Sequence, residues 1–425
     1  MSGLHPSGRP RVASTERRRV QAGWASTWWL AAALVLCMSP WFSASAVVPQ
    51  LDSAWNMSDS ASAWLTISVQ LGFVAGAVMS SMLNLADVVA PRTLIIAGAA
   101  GAAIANLSVL TADGVSQALV WRTLTGACLA AVYPPAMKLV ATWFTTGRGT
   151  ALGILIGALT VGAALPHLVN GAGGTGWRMV ITVTSVLTGA GAIMVAVKVR
   201  EGPYPFPKGT FSPRQTVAAL TNRELRLTTL GYLGHMWELY AMWAWFAAFA
   251  SAALRNQGIE SDSIASLVTF TVVGVGAAGC WVGGLLGDRW GKETSAVLMM
   301  ITSAACALVI GAFYSGPTWM LLAVAALWGF SVIGDSAQFS AIATEVTEQA
   351  YVGTALTLQL AVGFVLTVVT IWIIPLAASL FGWQWVFLTL VPGPLLGSVA
   401  MLRLRQCRRR SWGGSPDTGG SRHAL

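Results

Sequence analysis

The chain is predicted to be an all-α polytopic membrane protein with twelve transmembrane helices in two pseudo-symmetric six-helix bundles. Three observations predict this. Of 425 residues, 55% are hydrophobic and only 10% charged, with a mean hydropathy of +0.66, far from the balance of soluble domains. Apolar windows of the roughly 20 residues that a hydrocarbon core about 30 Å thick requires recur along nearly the whole chain. The windows fall into two sets of six, separated by a charged, proline-rich break, and the two sets share sequence.

In chain order, spans are expected near 24–50, 61–84, 93–111, 117–138, 149–170 and 177–197, then near 225–251, 262–286, 294–313, 318–342, 352–377 and 383–403. The expected organisation is a basic tail (1–23), a first bundle (24–197), a central loop (198–224), a second bundle (225–403) and a second basic tail (404–425). The run "WWLAAALVLCM" followed by "SASA" has the look of a signal peptide, but the apolar stretch continues to Leu51, longer than a signal core. "YPP" at 133–135 and Pro166 should bend spans four and five, because proline deletes a helix hydrogen bond. Gly153 and Gly157, spaced GxxxG, should allow close helix contact. Trp24, Trp55, Trp177 and Trp383 sit at span ends, where interfacial belts form. Cys37, Cys128, Cys280, Cys306 and Cys407 contain no CxxC pair and read as small packing residues. With only four histidines, neither a metal site nor another cofactor is expected.

Orientation follows from the basic residues, which are retained on the cytoplasmic side of short flanks. With both termini inside, every one of the 25 Lys and Arg residues falls in a cytoplasmic segment except Arg178 and Arg255 outside and Arg122 within span four. The net charge of +9 is therefore a topology signal. Anionic inner-leaflet lipid accounts for the Arg-rich tails better than nucleic acid does. The location expected is the cell (cytoplasmic) membrane, multi-pass, as a monomer in contact with lipid.

The halves resemble each other. "GTAL" opens span five at 149–152 and span eleven at 353–356; "GW" opens span six at 176–177 and span twelve at 382–383; "LADVVAPR" and "LGDRWGK" lie between the second and third spans of their halves. With these repeats the chain resembles the major facilitator superfamily of secondary transporters. "GLLGDRWGK" (284–292) fits that superfamily's loop pattern GxxxDRxGRK through Gly284, Asp288, Arg289, Gly291 and Lys292. The first-half copy has Leu83, Val88 and Ala90 in place of the pattern's residues and keeps Asp87 and Arg92. "RTLTGACLA" from Arg122 fits the fourth-span pattern RxxxGxxxA. These loops are expected to gate: glycines permit a tight turn, and Asp with neighbouring Arg and Lys could form charge pairs that latch one bundle against the other. Helix capping and anchoring to lipid heads fit the same residues.

Titratable residues deep in a bilayer are costly and point to function. Here they are Arg122 in span four, His235 and Glu238 in span seven, and Asp335 in span ten; the resemblance implies that spans one, four, seven and ten line a central cavity. Helical spacing places Gly231, His235, Glu238, Met242 and Trp245 on one stripe, and Trp328, Ser331, Asp335 and Gln338 on another. Arg122 and Glu238 fall at similar depth, so the two could meet. Trp237, Trp243 and Trp245 cluster with Tyr240 on span seven and could stack an organic solute, with core packing as the other reading. Candidate substrate or proton-coupling residues are thus Arg122, His235, Glu238, Asp335, Gln338, Trp245 and Trp328, with buried polar packing as the alternative reading.

The function expected is secondary active transport of a small polar or organic solute, anions included, by proton-coupled alternating access, as symport or antiport. No Walker loop is present and no nucleophile with its base is clustered, so neither an ATP-driven pump nor an enzyme is expected. "YPPAMKLVATWF" and the layout are similar to nitrate, nitrite and cyanate porters and to organic-anion exchangers, although spans two, eight and eleven lack the basic residues those carriers place there. The alternatives are a multidrug or metabolite efflux antiporter, against which span five lacks the antiporters' GP, and a transporter-like receptor without flux.

Overall fold

Helix α1 (Pro10–Cys37) carries the first span and ends just before Pro40, whose ring removes a main-chain donor. The computed structural model describes residues 10–83, 85–144, 148–172, 176–204, 222–347 and 352–413. A turn, a short 3-10 segment and α2 (Val48–Trp55) complete the first crossing. Then come α3 (Asp59–Met82), opened by the Ser58 hydroxyl accepting from the Ala61 N–H, the short α4 (Leu85–Val88), and α5 (Pro91–Ser108), with proline in its first turn. Span four is broken into α6 (Val115–Leu129) and α7 (Tyr133–Ala141), as "YPP" predicts. Helices α8 (Arg148–Gly171), which runs unbroken through Pro166, and α9 (Trp177–Lys198) end the first bundle.

The second bundle opens with α10 (Arg223–Asn256), capped by Asn222, which accepts from the N–H groups of Glu224 and Leu225. Next come α11 (Asp262–Gly274) and α12 (Gly276–Trp290), two parts of span eight, and α13 (Lys292–Val309). Span ten was expected as one helix, yet it divides into α14 (Thr318–Val332) and α15 (Ser336–Val346) without any proline at the break. Helices α16 (Val352–Phe381) and α17 (Pro392–Gly413) finish the chain.

Among the described residues, eleven helical stretches are long and apolar enough to cross a membrane. Helix α10 is not one of them. Its 34 residues reach about 50 Å, ample for a crossing, but His235, Glu238 and its charged ends lower its hydropathy; it is the twelfth crossing. Twelve crossings bring the chain back to the face it started from, here called the terminal face; the opposite one is the distal face.

Glycine sets the closest approaches, and it does so twice in the same pattern. A Cβ added at Gly126 in α6 would overlap the Val69 carbonyl of α3, and one at Gly329 in α14 would overlap the Val272 carbonyl of α11. Gly126 and Gly329 occupy matching positions in α6 and α14, so the repeat read from the loops extends to the helix crossings. The expected Gly153 contact is absent: a Cβ there meets nothing, because that face of α8 is open.

The bundles meet along two lines, α3 against α16 and α8 against α11 and α12. At the distal face Asn170 of α8 joins them: its amide donates to the Ala46 carbonyl and the Ser266 hydroxyl, each at 2.9 Å, and its oxygen accepts from Gln50 at 3.0 Å.

Candidate transport site

Three of the four titratable residues singled out in the sequence, His235, Glu238 and Asp335, come together inside the second bundle. His235 and Glu238, one turn apart on α10, face span ten. The Glu238 carboxylate accepts a 2.6 Å hydrogen bond from the Trp328 indole of α14, and Ser303 of α13 stands beside it without an aligned bond. His235 Nδ1 lies 2.8 Å from Asp335 Oδ1, off the direction of a good hydrogen bond, and its Nε2 has no partner. Asp335 occupies the break between α14 and α15. His235, Glu238 and Asp335 are each 2% exposed, with Tyr232 and Phe339 against the imidazole. A buried, imperfectly satisfied His–Asp contact contributes little to stability. What it can do is hold or release a proton at the junction of a continuous helix with a broken one.

Arg122 lies elsewhere. Its guanidinium donates to the carbonyls of Pro40 at 2.7 Å, Trp41 at 2.5 Å and Leu65 at 3.3 Å, to the Ser43 hydroxyl at 2.9 Å and to Asn106 Oδ1 at 3.2 Å. All of these belong to the first bundle. The break in span one frees main-chain carbonyls that must be satisfied, and Arg122, fully buried, satisfies them. The expected meeting of Arg122 with Glu238 therefore does not occur.

The two predicted stripes also face differently from expectation. Trp245 donates to the Ile371 carbonyl at 2.9 Å, Gln338 to the Gly283 carbonyl at 3.0 Å, and Trp328 to Glu238. Each turns into the interior of the second bundle instead of lining a chamber between bundles. Between the bundles lies an aromatic seam instead: Trp41 and Phe42, Phe73 of α3, Tyr240 and Trp243 of α10, and Phe364 of α16. Ring centroids across it are 5.2 Å for Phe73–Phe364, 5.8 Å for Trp41–Phe364 and 6.0 Å for both Trp41–Tyr240 and Phe42–Trp243. Gln70 accepts from the Thr367 hydroxyl beside it.

The sequence profile described as Major Facilitator Superfamily matches residues 29–255 and 239–422. The chain belongs to the major facilitator superfamily. It is 26% identical over 292 residues to the MFS transporter asaE of Aspergillus flavus, an alignment covering 65% of this chain and 61% of that protein's length. Its fold is similar to a bacterial homolog of the human lysosomal transporter Spinster in an inward-facing, unoccupied conformation, with a TM-score of 0.68, 15% identity, and coverage of 94% of this chain and 99% of that one. It is also similar to the nucleoside transporter NupG, with a TM-score of 0.66, 14% identity, and coverage of 89% and 99%.

In this member of the superfamily the loop motif's residues are placed as follows. Gly291 has φ +91°, a conformation that requires glycine, and caps both α12 and α13. Gly284 meets nothing where a Cβ would stand, and Asp288 and Arg289 are exposed. Lys292 pairs with Glu345, which also meets Arg408 at 3.2 Å; Arg408 in addition reaches Glu293 at 2.7 Å and Glu224 at 3.3 Å. These pairs tie α10, α13, α15 and α17 together at the terminal face. They lie within one bundle, so the expectation of a latch between bundles is not met by them. Arg92 donates to the Val195 and Ala196 carbonyls of α9, again within its own bundle; the Asp87 side chain lies outside the described residues.

Sequence reasoning singled out Tyr240 and Trp243 for stacking but missed Trp41, Phe73, Phe364 and Gln70. The one available signal was Gln70, a lone amide in the apolar run "TISVQLGF".

Proposed function

We propose that this chain is a proton-coupled carrier of a small organic solute, working by alternating access as a monomer in the cell membrane with both termini cytoplasmic. The observation that carries the proposal is the buried His235–Asp335 contact beside the Glu238–Trp328 hydrogen bond, at the point where α10 meets the break in span ten. Protonation there changes the charge holding α10 to α14 and α15. Helix motion and proton binding are thereby linked without any metal or nucleotide. An anionic solute draws no support from Arg122, whose donors are spent on main-chain carbonyls and on the Ser43 and Asn106 side chains, so the solute proposed is neutral or is carried together with its proton.

The test is uptake into proteoliposomes of solutes first found by thermal shift in detergent. The wild type should accumulate a hit against its gradient when a pH difference is imposed. Glu238→Gln and Asp335→Asn should exchange the same solute in counterflow while losing that accumulation. Accumulation equal to wild type in both variants would remove the cluster from coupling, and the absence of counterflow for every bound solute would make the protein a receptor.

A further inference from the structure

The aromatic seam contains an anomaly that points to what it binds. Among the described residues, three tryptophans turned into the second bundle spend their indole N–H groups on an acceptor: Trp237 on the Thr389 carbonyl at 3.0 Å, Trp245 on the Ile371 carbonyl at 2.9 Å, Trp328 on Glu238 at 2.6 Å. The two at the seam do not. Trp41 Nε1 and Trp243 Nε1 are buried without a partner, and so is Nε2 of Gln70. These residues are 3%, 1% and 0% exposed. Buried donors are nearly always satisfied, and each one left bare costs stability. Three in one cluster, on surfaces of both bundles that must separate in alternating access, are donors kept for a guest.

We infer that the seam is a solute site for a flat, uncharged organic molecule bearing at least two hydrogen-bond acceptors, which stacks among Trp41, Tyr240, Trp243 and Phe364 and accepts from Trp41, Trp243 and Gln70. This deepens the carrier reading and rests on it. Four crossings contribute, two from each bundle: the first through Trp41, α3 through Gln70 and Phe73, α10 through Tyr240 and Trp243, α16 through Phe364 and Thr367. A guest between them would therefore contact both halves of the carrier at once.

The charge of the guest follows from its surroundings. None of the seam residues named is charged. The nearest cation by bonding is Arg122, which holds the Pro40 and Trp41 carbonyls at 2.7 and 2.5 Å and so fixes the segment that carries the Trp41 ring. An anion would enter a low-dielectric site with no counter-charge and be strongly disfavoured. A cation would find ring faces to its liking but would meet N–H groups pointing the wrong way. A neutral acceptor is opposed by neither effect. The rings touch one another in this conformation, so the guest enters as α3 parts from α16 and the turn carrying Trp41 and Phe42 parts from α10.

Equilibrium binding to the purified full chain in detergent tests this without any gradient, so its outcome is separate from that of proton coupling. The probes are coumarin and flavone (flat, uncharged, with ring and carbonyl oxygens), indole (flat, a donor without an oxygen acceptor), benzoate (an anion) and choline (a cation). Coumarin or flavone should bind at least tenfold more tightly than the other three. Trp41→Phe, Trp243→Phe and Gln70→Met should each weaken that binding about tenfold, the loss expected for one hydrogen bond from a buried donor. Trp143→Phe, whose N–H is already spent on the Arg200 carbonyl, should leave it unchanged. The three seam variants act independently, so one that fails to fold leaves two to decide. Failure of both oxygen-bearing probes to bind, tighter binding of benzoate or choline, or undiminished binding in the folded seam variants would each overturn the inference.

Discussion

Glu238 makes one short hydrogen bond, to an indole, in a place where water does not reach, and that choice of partner has consequences. An indole donates and cannot accept, so Trp328 fixes the carboxylate without competing for its proton. Trp328→Phe should leave the fold in place, weaken the hold on Glu238, and reduce gradient-driven accumulation while counterflow persists; equal losses of both would assign Trp328 to packing alone. Arg122 is the opposite case. Removing it in Arg122→Leu leaves the buried Trp41 carbonyl without a donor, at about 1–3 kcal/mol, and takes a donor from the Pro40 and Leu65 carbonyls, Ser43 and Asn106, so the variant should unfold at markedly lower temperature in detergent. A melt matching wild type would show that those carbonyls find other donors. Both residues were legible in the sequence, because a charge in an apolar run stands out. Their partners were not. Helical spacing tells which residues share a face, but whether that face turns toward the other bundle or into its own depends on neighbours that a single sequence does not place.

Among the helices, the breaks and crossings carry the repeat. The break in span four was legible from Pro134 and Pro135; the break before Ser336 was not, since it lies in "SVIGD" with no proline to mark it. The crossings were half legible: the RxxxGxxxA pattern picks out Gly126, while Gly329 emerges only from its approach to Val272. Overpacking at such a contact costs about 1–3 kcal/mol. Gly126→Leu and Gly329→Leu should therefore each lower the melting temperature in detergent, and Gly153→Ala, on the open face of α8, should not. A Gly153→Ala melt depressed as far as the other two would contradict the packing described.

For the whole molecule, closure at the distal face rests on Asn170, and closure at the terminal face of the second bundle on Arg408 and its three carboxylates. The Arg408 group is a network of partly exposed pairs, worth about 1 kcal/mol per pair at most, so high salt should soften it with little effect on the melt. The Asn170 clasp is buried and joins both bundles. Asn170→Leu should open the distal face, read as a longer distance between spin labels placed at the exposed Asp52 and Asp262 positions; an unchanged distance would show the face held by apolar packing alone.

The same pair of labels tests the link between proton and motion most directly, with no knowledge of the solute. In the wild type, the populations of short and long Asp52–Asp262 label distances should shift as the pH moves from 5.5 to 8.5, and in Glu238→Gln they should stay put at every pH. Populations indifferent to pH in the wild type, or shifting identically in the variant, would contradict a carrier driven by protonation at the junction of α10 with span ten.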